Sequence, residues 1–146
     1  MRILVTGGAG YIGSHTVYAL LDRGDGVVVL DDLSTGMKAQ VGEKAVFVQG
    51  DVADTALAAK IIDDHRVESV IHFAGSIVVP ESVEKPLDYY ANNTLASHAL
   101  ISAAVAASVK HILFSSTAAV YGAPESVPID EGDAKLPINP YGASKL

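Results

Sequence analysis

The chain has 146 residues, of which 49% are hydrophobic, no cysteine, and a formal net charge of −7. That length supports one domain with a real core but not two, and the absence of cysteine excludes disulfides and thiolate metal sites. The acidic balance argues against a nucleic-acid or anionic-membrane surface, which needs clustered Lys and Arg; with no secretory leader pattern and no apolar run of membrane length, a cytoplasmic setting is expected.

The first predicted element is an apolar strand, Arg2-Ile3-Leu4-Val5-Thr6, which runs into Gly7-Gly8-Ala9-Gly10-Tyr11-Ile12-Gly13. Glycines let the backbone approach an anion closely, and the start of the following helix, patterned from Ser14, offers unpaired N–H groups and a positive dipole end. Strand, glycine loop and helix in that order suit a nucleotide pyrophosphate. The helix continues through Tyr18 to Arg23 and stops at Gly24. Val27-Val28-Val29-Leu30 reads as a buried strand ending in Asp31. A carboxylate there would hydrogen-bond the adenosine ribose hydroxyls and repel a 2′-phosphate, favouring NAD over NADP. The glycines fit two spacings, Gly8-x-Gly10-x-x-Gly13 and Gly7-x-x-Gly10-x-x-Gly13.

A third strand, Ala45-Val46-Phe47-Val48, ends at Gly50-Asp51-Val52, and Thr55 to Arg66 places Leu57, Ile61, Ile62 and His65 at helical spacing. The fourth strand is Ser69 to Ala74. These strands are short, apolar and nearly unalternated, as expected where helices cover both faces of a parallel sheet. A longer helix is predicted from Pro86 to about Ala107. Its rows Leu87/Ala91/Leu95, Leu100/Ala104 and Ile101/Val105 are more than one packing face requires, which predicts a partner helix. The fifth strand, His111 to Ser116, enters a Gly/Pro-rich loop that lasts until Pro140, long enough to suggest function. The alternation predicts an α/β fold with a doubly wound parallel sheet. His15, His65, His72, His98 and His111 lack metal-ligand spacing and read as helix or strand residues, so no metal is predicted.

Groups fit for chemistry gather late in the chain. Ser115-Ser116-Thr117 stands at a strand terminus, where doubly wound sheets place their ligands, and Tyr141 and Lys145 are four apart, on one face if helical. An ammonium beside a phenol favours the phenolate. To act as a base near neutrality a tyrosine must fall from about 10 to about 7, a differential stabilisation of about 4 kcal/mol, which Lys145 and a cationic nicotinamide would provide together. Thr117 reads equally as a helix cap, and Ser34, Thr35 and Asn92 as capping or turn residues.

Taken in order, these motifs resemble those of the extended short-chain dehydrogenase/reductases that act on nucleotide sugars. The likeness spans all 146 residues: Thr6 to Gly13, Gly50-Asp51-Val52, Phe73-Ala74-Gly75, Asn92-Asn93, Ser115-Ser116-Thr117, and Tyr141 with Lys145. Within the family it is nearest to the 4-epimerases of UDP-sugars, through Ile71 to Gly75, Glu81 to Leu87, Ala118 to Gly122 and Pro140 to Leu146. Thr117, Tyr141 and Lys145 decide for the Gly7-x-x-Gly10-x-x-Gly13 spacing.

The resemblance implies a Rossmann-type NAD-binding domain over residues 1–146. It implies that Gly7, Gly10, Tyr11, Ile12 and Gly13 hold the pyrophosphate. Asp31 and the Ser34-Thr35-Gly36 turn would bind the adenosine ribose side, Asp51 and Val52 the adenine, while Phe73, Ala74, Gly75 and Asn92 line the cofactor. Thr117 would orient the sugar hydroxyl, Tyr141 would remove its proton, and Lys145 would bind the nicotinamide ribose. The implied reaction interconverts UDP-galactose and UDP-glucose through a 4-keto sugar, with NAD as resident cofactor and a homodimer in the full-length form. Another nucleotide-sugar epimerase or a 4,6-dehydratase are the alternatives. Dehydratases resemble one another in an Asp-Glu pair where this chain has Ala118-Ala119, whose methyl groups transfer no protons. Ile77 stands where some 4-epimerases carry a lysine. Family members continue beyond Lys145 with further strands and a substrate domain. Residues 1–146 alone are therefore expected to bind NAD weakly and turn over little, as an inert cofactor-binding fragment, with the Tyr141 turn too short to be stable alone.

Overall fold

A computed structural model describes residues 1–146. The chain forms two compact units, Met1–Ala74 with Ala96–Ser115, and Gly75–Leu95 with Ser116–Leu146.

The first unit holds five strands, β1 (Arg2–Thr6), β2 (Gly26–Asp31), β3 (Val46–Gln49), β4 (Ser69–His72) and β5 (His111–Phe114), all parallel and ordered β3-β2-β1-β4-β5. The strand order reverses between β1 and β4. Because side chains alternate across each strand, the sheet is apolar on both faces. Ile3, Val5, Val27 and Val29 face one side and pack with Val17 and Leu20 of α1 (Tyr11–Asp22). Leu4, Val28, Leu30 and Val70 face the other and pack with Ala58, Ile61 and Ile62 of α2 (Thr55–Asp64), and with Ala96, Leu100, Ala103 and Ala104 at the C-terminal part of the long helix. Helices on both faces make the sheet doubly wound, as the unalternated strands predict.

Local signals set the helix ends. Asp54 caps α2, its carboxylate accepting from the Leu57 amide at 2.9 Å. The Gly24 amide donates to Leu21 O and the Asp25 amide to Leu20 O, both at 3.0 Å, with Gly24 in the left-handed region. That paired closure ends α1. The same bonds end α2 and the long helix, but there Arg66 (φ 50°) and Ser108 (φ 57°) hold the position that favours glycine.

The second unit contains α3 (Val79–Glu84), α4 (Pro86–Tyr89), a π-helical segment (Tyr90–Leu95), a 3-10 turn (Ala118–Tyr121) and a short helix over Pro140–Ser144. The single regular helix predicted from Pro86 to Ala107 is therefore corrected. The chain is α-helical to Tyr89, widens into π geometry over Tyr90–Leu95, and is α-helical again as α5 (Ala96–Ala106). The final helix, Pro140–Ser144, is α6. The predicted row Leu87/Ala91/Leu95 lies outward, with Leu87 79% and Leu95 67% exposed. Unlike the aliphatic core of the first unit, this unit buries Ser82, Tyr89, Asn93, Ser144 and Lys145. A polar interior of this kind is stable only when its groups pair with one another.

Candidate active site

The glycine loop leaves β1 through Gly7, whose φ of +68° lies where side chains are disfavoured. A Cβ on Gly7 would stand 2.6 Å from the Ala74 amide nitrogen, and one on Gly13 would stand 2.1 Å from Gly7 O. The loop is thus closed against itself with no room for a side chain. Gly10 begins α1 without a side-chain cap, so the amides of Tyr11, Ile12 and Gly13 have no partner from the preceding turn. The helix starts three residues before the Ser14 of the sequence pattern, which brings these amides to its positive end. The Tyr11 and Ile12 side chains are exposed, and the Tyr11 ring packs on His15 at 4.6 Å between centroids. What these two residues offer an anion is backbone. This bare, uncapped turn fits a pyrophosphate.

Asp31 is buried at the end of β2, its Oδ2 accepting from the Ala9 amide and its Oδ1 from the Leu33 amide, both at 2.9 Å. The turn after it packs on the loop, since the Met37 amide donates to Ala9 O at 3.0 Å and a Cβ on Gly36 would meet Ala9 at 2.9 Å. Ser34 donates to Asp32 from both its amide and its hydroxyl, while Thr35 is exposed. The Asp51 carboxylate is exposed and accepts from the Ala53 amide at 2.8 Å; Val52 is buried in the core against α2. Phe73 and Ala74 are half-buried after β4, the Phe73 amide donating to Thr6 O at 3.0 Å. The first unit therefore gathers Gly7, Gly10, Gly13, Asp31 and Gly36 around one loop.

In the second unit, α6 carries Tyr141, and Lys145 follows at its C-terminal end. Asn139 caps it, accepting from the Gly142 amide at 2.8 Å, and Pro140 stands at its first position, where the lost N–H costs nothing. A Cβ on Gly142 would lie 2.6 Å from Ala119 O, so α6 rests directly on the 3-10 turn that Thr117 caps. Thr117 Oγ1 accepts from the Ala119 amide at 3.1 Å, which leaves its hydrogen to donate. Lys145 is only 4% exposed, and burial pushes its ammonium below the usual value. Its Nζ lies 3.3 Å and Asn93 Oδ1 2.8 Å from the place a Gly75 Cβ would occupy, so the bare α-carbon of Gly75 leaves room for both polar groups. Ser116 Oγ donates to Lys145 O at 2.8 Å. Tyr141 is half-buried, its ring edge-on to Tyr89 at 6.4 Å.

Asn93 and Tyr89, to which the sequence assigned no role, hold this cluster together. Asn93, 1% exposed, accepts from the Ser76 amide at 2.7 Å and donates to Ser76 O at 3.0 Å and to Ser144 Oγ at 2.9 Å. It thereby ties the Gly75-Ser76 segment to α6. Asn92, expected to line the cofactor, is exposed and donates to Ser76 Oγ at 2.8 Å. The buried Tyr89 hydroxyl accepts from the Val78 amide at 2.9 Å and lies 2.7 Å from Val78 O and 3.1 Å from Glu81 Oε2. Burial, reinforced by Glu81, raises its pKa. The sequence signal for Asn93 was its place in the Asn92-Asn93 motif, two adjacent poor helix formers inside an otherwise helical run; Tyr89 carried none.

A parallel sheet in the order β3-β2-β1-β4-β5, a glycine loop opening α1 and an acid closing β2 define a Rossmann-type dinucleotide-binding protein. The model of the NAD dependent epimerase/dehydratase family matches residues 3–146, and the chain belongs to that family. It is 58% identical over 145 residues to a UDP-glucose 4-epimerase of Azospirillum brasilense, covering 99% of this chain and 42% of that protein. The crystal structure of UDP-glucose 4-epimerase from Brucella ovis in complex with NAD superposes with a TM-score of 0.96 at 44% identity, over 99% of this chain and 44% of that one. That of the Thermotoga maritima enzyme with UDP-glucose gives 0.95 at 38% identity, over 99% and 48%. The chain spans less than half the length of these relatives. No helix is long and apolar enough to cross a membrane.

Proposed function

We propose that residues 1–146 form the NAD-binding domain of an NAD-dependent 4-epimerase of UDP-sugars, interconverting UDP-galactose and UDP-glucose. The observation that carries this reading is the buried Lys145, placed against the bare Gly75 on the same short helix end as Tyr141. An ammonium one turn from a tyrosine favours the phenolate form, which supports a role for the pair in proton transfer.

Gly7, Gly10 and Gly13, with the amides of Tyr11 and Ile12, would hold the pyrophosphate. Asp31, Ser34, Thr35 and Gly36 would meet the adenosine ribose, Asp51 and Val52 the adenine, and Phe73, Ala74, Gly75 and Asn92 the rest of the cofactor. When bound, NAD supplies reversible hydride transfer at C4 of the sugar. Thr117 would orient the C4 hydroxyl through its donor hydrogen, and Tyr141 would accept that hydroxyl's proton. Lys145 would hold the nicotinamide ribose beside them. Tyr141 would return the proton once the 4-keto sugar has presented its other face, leaving the C4 epimer. The Ala118-Ala119 pair at the start of the 3-10 turn offers no acid or base, which favours epimerisation over 4,6-dehydration.

The outward apolar side chains, Leu87 and Leu95 in one unit and Ile101 and Val105 in the other, support a homodimer in the full-length form. The reading is tested by titrating NAD into the intact purified protein and assaying conversion of UDP-galactose. Tyr141→Phe is expected to bind NAD as the parent does and to lose nearly all turnover. Near-normal turnover in that variant would sink the assignment.

A further inference from the structure

Thr6 and His72 are the last register partners of β1 and β4, the pair between which the strand order reverses. Their side chains meet: Thr6 Oγ1 lies 2.5 Å from His72 Nδ1, and the other ring nitrogen, Nε2, lies 2.8 Å from Ser97 Oγ on α5. Thr6 is fully buried, His72 is 1% exposed and Ser97 7%. The clusters that pack on either face of the sheet around them are aliphatic. Three polar side chains at this depth lose their hydration, and an aliphatic trio would fill the space without that cost. The triad therefore calls for a reason beyond packing.

Its place supplies one. Thr6 immediately precedes Gly7, and His72 immediately precedes Phe73 and Ala74. In open parallel sheets ligands bind beyond the carboxyl ends of the strands at the point where the order reverses. The Ala74 amide points at Thr6 Oγ1 from 3.5 Å, and the threonine hydroxyl keeps a hydrogen that it can give to Nδ1. The imidazole then carries its own hydrogen on Nε2 and donates it to Ser97, a tautomer assigned from the hydrogen-bond network.

We propose that His72 is a positioning residue for the dinucleotide. As a neutral, Nε2-protonated imidazole it locks the ends of β1 and β4 through Thr6, and so sets the spacing between the glycine loop and the Phe73-Ala74 segment. It touches no ligand itself. The inference rests on the NAD-binding reading above.

Two substitutions of similar severity separate the two bonds of the ring. An Asn side chain reaches only the Nδ1 position and keeps the bond to Thr6, whereas Gln reaches the Nε2 position and keeps the bond to Ser97. In the intact protein, NAD affinity by calorimetric titration and Tm are measured for the parent, Thr6→Val, Thr6→Ser, His72→Asn and His72→Gln. Thr6→Val and His72→Gln are expected to bind NAD about tenfold more weakly, the worth of one well-placed hydrogen bond. Thr6→Ser and His72→Asn, which keep the strand-to-strand bond, should hold affinity within about threefold. The 15N shifts of the His72 ring in the parent should report a protonated Nε2 and an unprotonated Nδ1. Affinities that merely follow Tm, with Asn and Gln equivalent, overturn the proposal, as does an Nδ1-protonated ring. A parent that binds no NAD overturns the reading of the site and this inference with it. A parent that binds, with Thr6→Val unimpaired, overturns the inference alone.

Discussion

The Asp31 carboxylate and the Ala9 amide are joined by a 2.9 Å hydrogen bond, so the acid that closes β2 also clamps the glycine loop. Asp31 uses its second oxygen on Leu33 and is 7% exposed, which makes it part of the loop's scaffold beside the ribose-binding role proposed for it. Asp31→Ala strands two amides and should lower stability by about 1–3 kcal/mol while weakening NAD binding. Asp31→Asn keeps one acceptor oxygen and should lose less of each. Urea unfolding and NAD titration on the same samples check both.

Gly13 is more constrained than its spacing alone indicates. A Cβ there would stand 2.1 Å from Gly7 O and 2.8 Å from Gly8 Cα, and both are backbone, which cannot swing aside. Gly13→Ala should open the loop, cost about 1–3 kcal/mol as an overpacked site does, and weaken NAD by at least about tenfold. Affinity within twofold of the parent would mean the loop yields freely.

Three helices end in the left-handed region, one through Gly24 and two through Arg66 and Ser108. A Cβ on Gly24 would meet nothing within 4 Å, so Gly24→Ala isolates the backbone cost and should destabilise by about 1 kcal/mol with NAD affinity unchanged. Ser108→Gly relieves the same cost and should stabilise by about 0.5–1 kcal/mol. Thermal unfolding distinguishes the two signs.

Asn92 and Asn93 are adjacent and should behave oppositely. Asn93→Ala removes the amide that ties Ser76 to Ser144 and should cost about 2–4 kcal/mol, the sum of more than one buried polar contact. Asn92→Ala removes one exposed bond and should cost less than about 1 kcal/mol. If Asn92 also lines the cofactor, its loss shows as weaker NAD binding at nearly unchanged stability.

Lys145 gives a pH signature. Its ammonium is held below the usual value by burial, so between that lowered value and about 10.5 the unfolded chain binds more protons than the folded one. Stability then rises with pH across that window, is fully present above about 10.5, and is lost as the pH falls through the lowered value. The stability difference between the parent and Lys145→Met should accordingly shift in the parent's favour from neutral to alkaline pH, measured by urea unfolding. Turnover of Lys145→Met should be nearly absent throughout.

Residues near one another in sequence carried most of what could be read in advance. Strand, glycine loop, helix and terminal acid lie within residues 2–31, and Tyr141 and Lys145 within one turn. Their geometry follows from chirality, glycine sterics and a 3.6-residue period, so the parallel sheet and the glycine cradle were legible from composition and order. The π segment was not. A wider turn over Tyr90–Leu95 shifts which side chains face inward, and no 3.6-residue pattern anticipates it.

The sequence by itself therefore determined the α/β class, the strand order's ingredients, the glycine loop between β1 and α1 and the placing of Tyr141 and Lys145 within one turn, because each depends on local backbone preference and hydrophobic burial. Only the tertiary structure decided that Asn93 rather than Asn92 is buried and that Lys145 reaches the bare α-carbon of Gly75. It alone joined Thr6, His72 and Ser97. Those relationships link residues far apart in the chain, and they rest on buried polar groups finding partners, a condition that arises only once the surrounding elements have removed the water.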